Sequence, residues 1–165
     1  MNRPTTWQEI AQFLRAEAEA YGALFQLYEE QQRRLFQRDA PGVLAKATEI
    51  EQGVRAAARQ RQDREAAVAA LASEYGVEPG RPVTELIQRI EPAAGGQITA
   101  LIDSINALIA RVRRISRNNL LFLSRTVEHH QALLRAMRPS ACSRTYGATG
   151  RVATAQADPR RSLTA

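Results

Sequence analysis

Apolar positions recur at intervals of three and four over most of this chain, the period of helices that bury one face. Trp7, Leu14, Tyr21, Tyr28 and Leu35 form a seven-residue series, with Ile10, Ala11, Ala18, Leu24 and Phe25 beside it. Thr6 and Glu9 stand at capping-box spacing, so a first helix is predicted over residues 7–38. Glu17 and Gln31 interrupt its second seam, which predicts a broad bundle stripe more than a strict zipper. Asp39-Ala40-Pro41 supplies a cap and a first-turn proline that stop one helix and start another. The second helix is predicted over 40–75, on a stripe of Val43, Ala47, Ile50, Val54, Ala57, Val68, Leu71 and Tyr75. Arg61 and Arg64 fall on that stripe, which predicts a loosely packed or locally shifted turn there. Gly76 fits a left-handed cap, Val77 can fold back on the last turn, and Pro79 forbids continuation.

A short amphipathic helix is predicted over 84–91, followed by a break from Pro92 to Gly96. The strongest stripe comes next: Ile98, Leu101, Ile102, Ile105, Leu108, Ile109, Val112 and Ile115. After Ser116-Arg117-Asn118-Asn119 it resumes in a shifted frame as Leu120, Leu123, Val127, Leu134 and Met137, a stutter within one helix over 97–137. Periodicity ends there. The expected fold is all-α: an elongated antiparallel helical hairpin or three-long-helix bundle with a short connecting helix. The helical bundle is expected over 1–138. Residues 139–165 form a polar, basic tail too poor in apolar residues to build a core, expected to be disordered alone.

Composition adds a charge asymmetry. The 165 residues are 44% hydrophobic and 24% charged, with a net charge of +6. Residues 1–93 hold 12 basic and 14 acidic side chains, whereas residues 94–165 hold 11 and 3. The second half therefore suits an acidic partner or a nucleic acid. No apolar leader opens the chain and nowhere do eighteen apolar residues run together, so a cytoplasmic protein without membrane insertion is expected. Cys142 is the sole cysteine and has no local base to make it a nucleophile. His129 and His130 are adjacent and so point to different faces, which is not a metal-ligand spacing. No phosphate-binding loop, Ser–His–Asp order or carboxylate pair is visible. No catalytic residue, metal or cofactor is expected, and an enzyme is the least supported class.

Several features together resemble the FlgN family of flagellar export chaperones. Two N-terminal helices are divided by the short break Arg38-Asp39-Ala40, and a leucine-containing segment follows at Thr84 to Ile90. The long helix then carries Ser116-Arg117-Asn118-Asn119-Leu120-Leu121 at its midpoint, and the tail reads Thr145-Tyr146-Gly147-Ala148-Thr149-Gly150-Arg151. The resemblance implies a cytosolic chaperone of flagellar type III secretion. Its clients would be hook–filament junction proteins, held by their helical terminal segments and delivered to components of the flagellar export apparatus. It also implies a client-binding surface in the C-terminal part.

The candidate client-binding residues are Leu120, Leu123, Val127, Leu134 and Met137, with Thr145, Tyr146 and Gly150 in the tail as a clamp. Leu120 and Leu123 are read first as residues that pack on the first two helices, and Leu134 and Met137, beside the tail, divide evenly between that packing and a client. Arg111, Arg113, Arg114, Arg117 and Arg125 raise a rival, a basic helical nucleic-acid binder with salt-sensitive affinity. No aromatic interleaves that run, and pairing to Glu9, Glu17, Glu19, Glu49 and Glu51 is an available alternative. A third reading is a structural coiled-coil protein that self-associates.

Overall fold

The computed structural model describes residues 6–78, 80–137, 144–146 and 152–154. It contains α1 (Trp7–Phe36), α2 (Ala40–Glu74), α3 (Val83–Ile90), a 3-10 turn (Pro92–Ala94) and α4 (Gly95–Met137). Two strands follow, β1 (Arg144–Tyr146) and β2 (Val152–Thr154). The chain divides into two compact units, Met1–Leu120 and Leu121–Ala165.

In the first unit α1 and α2 form an antiparallel hairpin. Arg34 meets Asp39 at the turn, Glu17 meets Arg64 further along, and Ile10 and Leu14 share a core with Leu71. The first part of α4 runs parallel to α1. Ile98 and Ile105 join the Ile10 and Leu14 cluster, Val112 joins Leu24 and Ile50, and Asn119 reaches Tyr28 and Gln31. Leu86 and Ile87 of α3 bury fully against the first cluster and close that end. Gly53 sits where the hairpin is tight: a Cβ there would stand 3.2 Å from Leu24 and 3.3 Å from Leu27.

The apolar clusters are separated by polar pairs inside the seam. Glu17, 2% exposed, accepts from Arg64 Nε at 2.6 Å. Arg64 therefore does not loosen its turn, as its place on the stripe suggests; it reaches across to the acid that interrupts the α1 seam. Arg61 instead pairs with Glu65 on the surface. Asn119 Nδ2 donates to the Tyr28 carbonyl at 3.0 Å and to Gln31 Oε1 at 3.1 Å, while its buried Oδ1 meets no donor among the described residues. Both interruptions of the α1 seam are thus answered by a specific partner.

Helix ends follow from local chemistry. The Glu9 carboxylate accepts the Thr6 backbone N–H at 3.2 Å. Helix α2 ends in a Schellman motif: Gly76 has φ +61°, Val77 N–H donates to Ala72 O at 2.9 Å, and Gly76 N–H donates to Ser73 O at 3.3 Å. The same motif ends α1, with Arg38 at φ 59° in the glycine position, Asp39 N–H on Arg34 O and Arg38 N–H on Leu35 O. That is why α1 stops at Phe36, short of Arg38. Asp39 then caps α2 through the Gly42 N–H at 3.0 Å and binds Arg34 at 2.7 Å. The Gly42 N–H and then Arg34 hold the Asp39 carboxyl below the usual carboxylate range. A Cβ at Gly42 would crowd Asp39 and come within 2.7 Å of Arg34 Nη1.

Beyond α4, β1 and β2 pair antiparallel with Tyr146 opposite Val152. The sequence carries no periodicity that foretells this ribbon, because three-residue strands are too short to show one. Gly150 and the remaining tail positions lie outside the described residues.

Arg38→Gly is expected to stabilise the protein by about 0.5–1 kcal/mol, since glycine removes the left-handed penalty at some entropic cost; urea unfolding measures it. Glu17→Ala is expected to destabilise by about 2 kcal/mol, whereas Glu17→Leu with Arg64→Met recovers most of that loss. Asp39→Asn keeps a capping oxygen but removes a titration. Because the folded-state value is lowered, Asp39 stabilises above its unfolded value and less as pH falls through the folded one. The variant's melting temperature is therefore expected to fall less steeply on acidification.

Candidate functional site

Helix α4 changes character along its length. Up to Asn119 it buries Ile98, Ile105, Val112, Ile115 and Asn119 in the first unit. From Leu120 onward its residues are exposed except Leu123, which is half-buried. Leu120 is 67% exposed, Leu134 62% and Met137 79%, with Val127 also exposed. Leu120 therefore turns most of its surface to solvent.

Three further apolar side chains belong to this exposed stretch: Leu121, Phe122 and Leu133. At about 100° per residue, Phe122, Leu133, Met137, Leu123, Leu134 and Val127 share a band about 140° wide. A strict heptad count takes one member of each neighbouring pair and passes over the other, which is how Phe122 and Leu133 escape it. The signal that finds them is the eleven-residue interval from Phe122 to Leu133, three full helical turns. Leu121 falls outside the band.

The apolar excess is large for a helix of this length. Pro92–Met137 is the one helical stretch, among the described residues, long and apolar enough to cross a bilayer. Its N-terminal half spends that apolarity on the core: Ile98 and Ile105 are buried, and Leu101, Ile102 and Ile109 pack half-buried against the same cluster.

The other predicted site residues are placed as follows. Thr145 and Tyr146 lie on β1, paired with Ala153 and Val152 of β2. Gly150 lies outside the described residues. His129 and His130 are exposed on α4, and among the described residues no three His, Cys, Asp or Glu side chains converge at metal-binding distance. A separate groove between α1 and α2, lined by Tyr21, Leu24, Val54, Ala57, Ala58 and Arg61, gathers none of the candidate residues.

The α4 arginines do not find the acids expected for them. Glu17 binds Arg64, Glu49 binds Lys46 and Glu51 binds Arg55, while Arg111 stacks on Phe25 with Cζ 4.1 Å from the ring centroid. Among the described residues no side chain of α4 enters an ion pair. Glu17, Glu30, Glu49, Glu51 and Glu65 are taken up by neighbours on their own hairpin, and Arg113, Arg114 and Arg117 are exposed.

No curated protein and no solved structure matches this chain. The sequence profile described as FlgN protein matches residues 1–154, which takes in all four helices and the strand pair. The chain therefore belongs to the FlgN family, a family of flagellar export chaperones.

Proposed function

We propose that this protein is a cytosolic flagellar export chaperone that holds the helical terminal segments of hook–filament junction proteins on the apolar band of α4. The observation that supports this reading is the exposure of Leu133, Leu134 and Met137 together with Val127 on one helix. Terminal segments that fold only on assembly are amphipathic, and in isolation their apolar faces would aggregate. A helix whose apolar surface exceeds what its own chain covers offers such a segment a groove-like partner, read as anchors at i, i+3, i+4 and i+7. Burial returns about 25 cal/mol per Å², less the cost of ordering the client. Thr145, Tyr146 and Gly150 would clamp the bound segment. Delivery to the export apparatus follows once the occupied surface differs from the empty one.

Titration calorimetry of the full chain against helical terminal peptides of junction proteins tests this. Each buried Leu or Met side chain is worth about 1.5–3 kcal/mol, so Leu134→Ser with Met137→Ser is expected to weaken capture at least about tenfold at unchanged helicity. Deleting Pro139–Ala165 is expected to leave the melting temperature intact and to weaken capture more modestly. Full affinity in the serine variant would remove the band from the mechanism, and preferential binding to lipid vesicles over the peptides would reassign it to a membrane surface.

A further inference from the structure

We infer that Arg113, Arg114 and Arg117 form a second docking surface, for an acidic helical segment of a protein partner. The inference rests on a contrast in how the chain handles its charges. Along α1, α2 and the entry to α3, basic residues are mostly neutralised locally at i, i+3 or i, i+4. Glu30 serves both Arg33 at 2.6 Å and Arg34 at 3.2 Å, Lys46 meets Glu49 at 2.7 Å, Arg61 meets Glu65 at 2.8 Å, and Arg81 meets Glu85 at 3.4 Å. Helix α4 abandons that rule. Its only acids are Asp103 and Glu128, and neither stands three or four residues from any of the three arginines.

The geometry makes the cluster presentable. Val112, Ile115 and Asn119 are buried, and helical period puts Arg113, Arg114 and Arg117 on the opposite side, all exposed. Arg113 and Arg117 are four apart and Arg114 and Arg117 three apart, spacings at which like charges oppose helix formation. Among the described residues none of the three guanidinium groups enters an ion pair. Arg111, at the edge of the run, shows what a structural arginine does here: it lies on the Phe25 ring.

The occupant follows from spacing and chemistry. The three guanidinium groups rise over four residues, about 6 Å of helix. A partner helix with carboxylates at i and i+3 or i+4 presents the same interval, and the planar guanidinium fork matches a carboxylate bidentately. A nucleic acid fits less well. Multi-phosphate binding draws on about 6–10 cationic contacts, and no aromatic side chain interrupts residues 111–121 to stack a base. This surface is separate from the apolar band, so its test does not depend on client capture.

Fluorescence anisotropy of the full chain with a labelled synthetic helical peptide carrying glutamates at i, i+4 tests the proposal. A uridine 20-mer serves as the competing probe, and both are measured at low and high salt. The variant Arg113→Gln, Arg114→Gln, Arg117→Gln is compared with Arg15→Gln, Arg59→Gln, Arg89→Gln, which removes three exposed and unpaired arginines elsewhere and so the same net charge. The first variant is expected to bind the acidic peptide at least about tenfold more weakly, and the second within about twofold of the parent. The first variant is also expected to melt at the same or a higher temperature, since only self-repulsion is removed. Equal loss in both variants would reduce the effect to bulk charge and overturn the proposal. Tighter, arginine-dependent binding of the uridine 20-mer would overturn it in favour of a nucleic acid. A fall in melting temperature for the first variant would return these arginines to a structural role.

Discussion

Helices dominated by Leu, Ile and Ala can slide past one another by a turn and still bury comparable surface. What removes that freedom in this molecule is a pair of polar contacts inside the seam, Glu17 with Arg64 and Gln31 with Asn119. Shifting α2 by one turn would strand a carboxylate that is 2% exposed, and shifting α4 would strand the Asn119 amide. The penalty for either stranded group is several times the net worth of a satisfied hydrogen bond. Net stabilisation by these pairs is small; their contribution is to make one register far better than its neighbours. The seating of α4 on the hairpin, and with it the outward side that carries the arginines, follows from that register.

Where helices begin and end was largely legible, because caps are local. Thr6 with Glu9, Asp39 with Pro41, and Gly76 with Pro79 each act within a few residues, and the structure uses the first two and Gly76 as their types suggest. The substitution of Arg38 for a glycine was less legible, since nothing short of backbone geometry marks a non-glycine in the left-handed region. The meaning of Glu17, Gln31, Arg64 and Asn119 was not legible at all as pairing. As single positions they look like defects in a stripe. The partners lie 47 and 88 residues apart, and a periodicity argument carries no information across such distances. Of the exposed apolar positions along the end of α4, Val127, Leu134 and Met137 were legible from periodicity, whereas a heptad count passes over Phe122 and Leu133.

Among the described residues α4 exposes two chemically unlike surfaces, one apolar and one cationic. An apolar band binds by area and tolerates variation in its partner's sequence, with little sensitivity to salt. A cluster of guanidinium groups binds by charge, accelerates encounter and weakens as ionic strength rises. The two proposed contacts would therefore respond to different conditions.

The turn between α1 and α2 also bears on the order of events during synthesis. One residue, Asp39, lies in the closing motif of the first helix and caps the second, so the reversal needs almost no chain. Contacts across such a hairpin grow outward from the turn by short steps, each closing only a slightly larger loop than the last. The bonds from Asn119 to α1 span about ninety residues. On a ribosome adding roughly 5–20 residues per second, the first two helices have time to zip together while α4 is still unmade. The nascent chain would thus offer the late helix a finished template, and its greasy side would emerge with a partner already waiting.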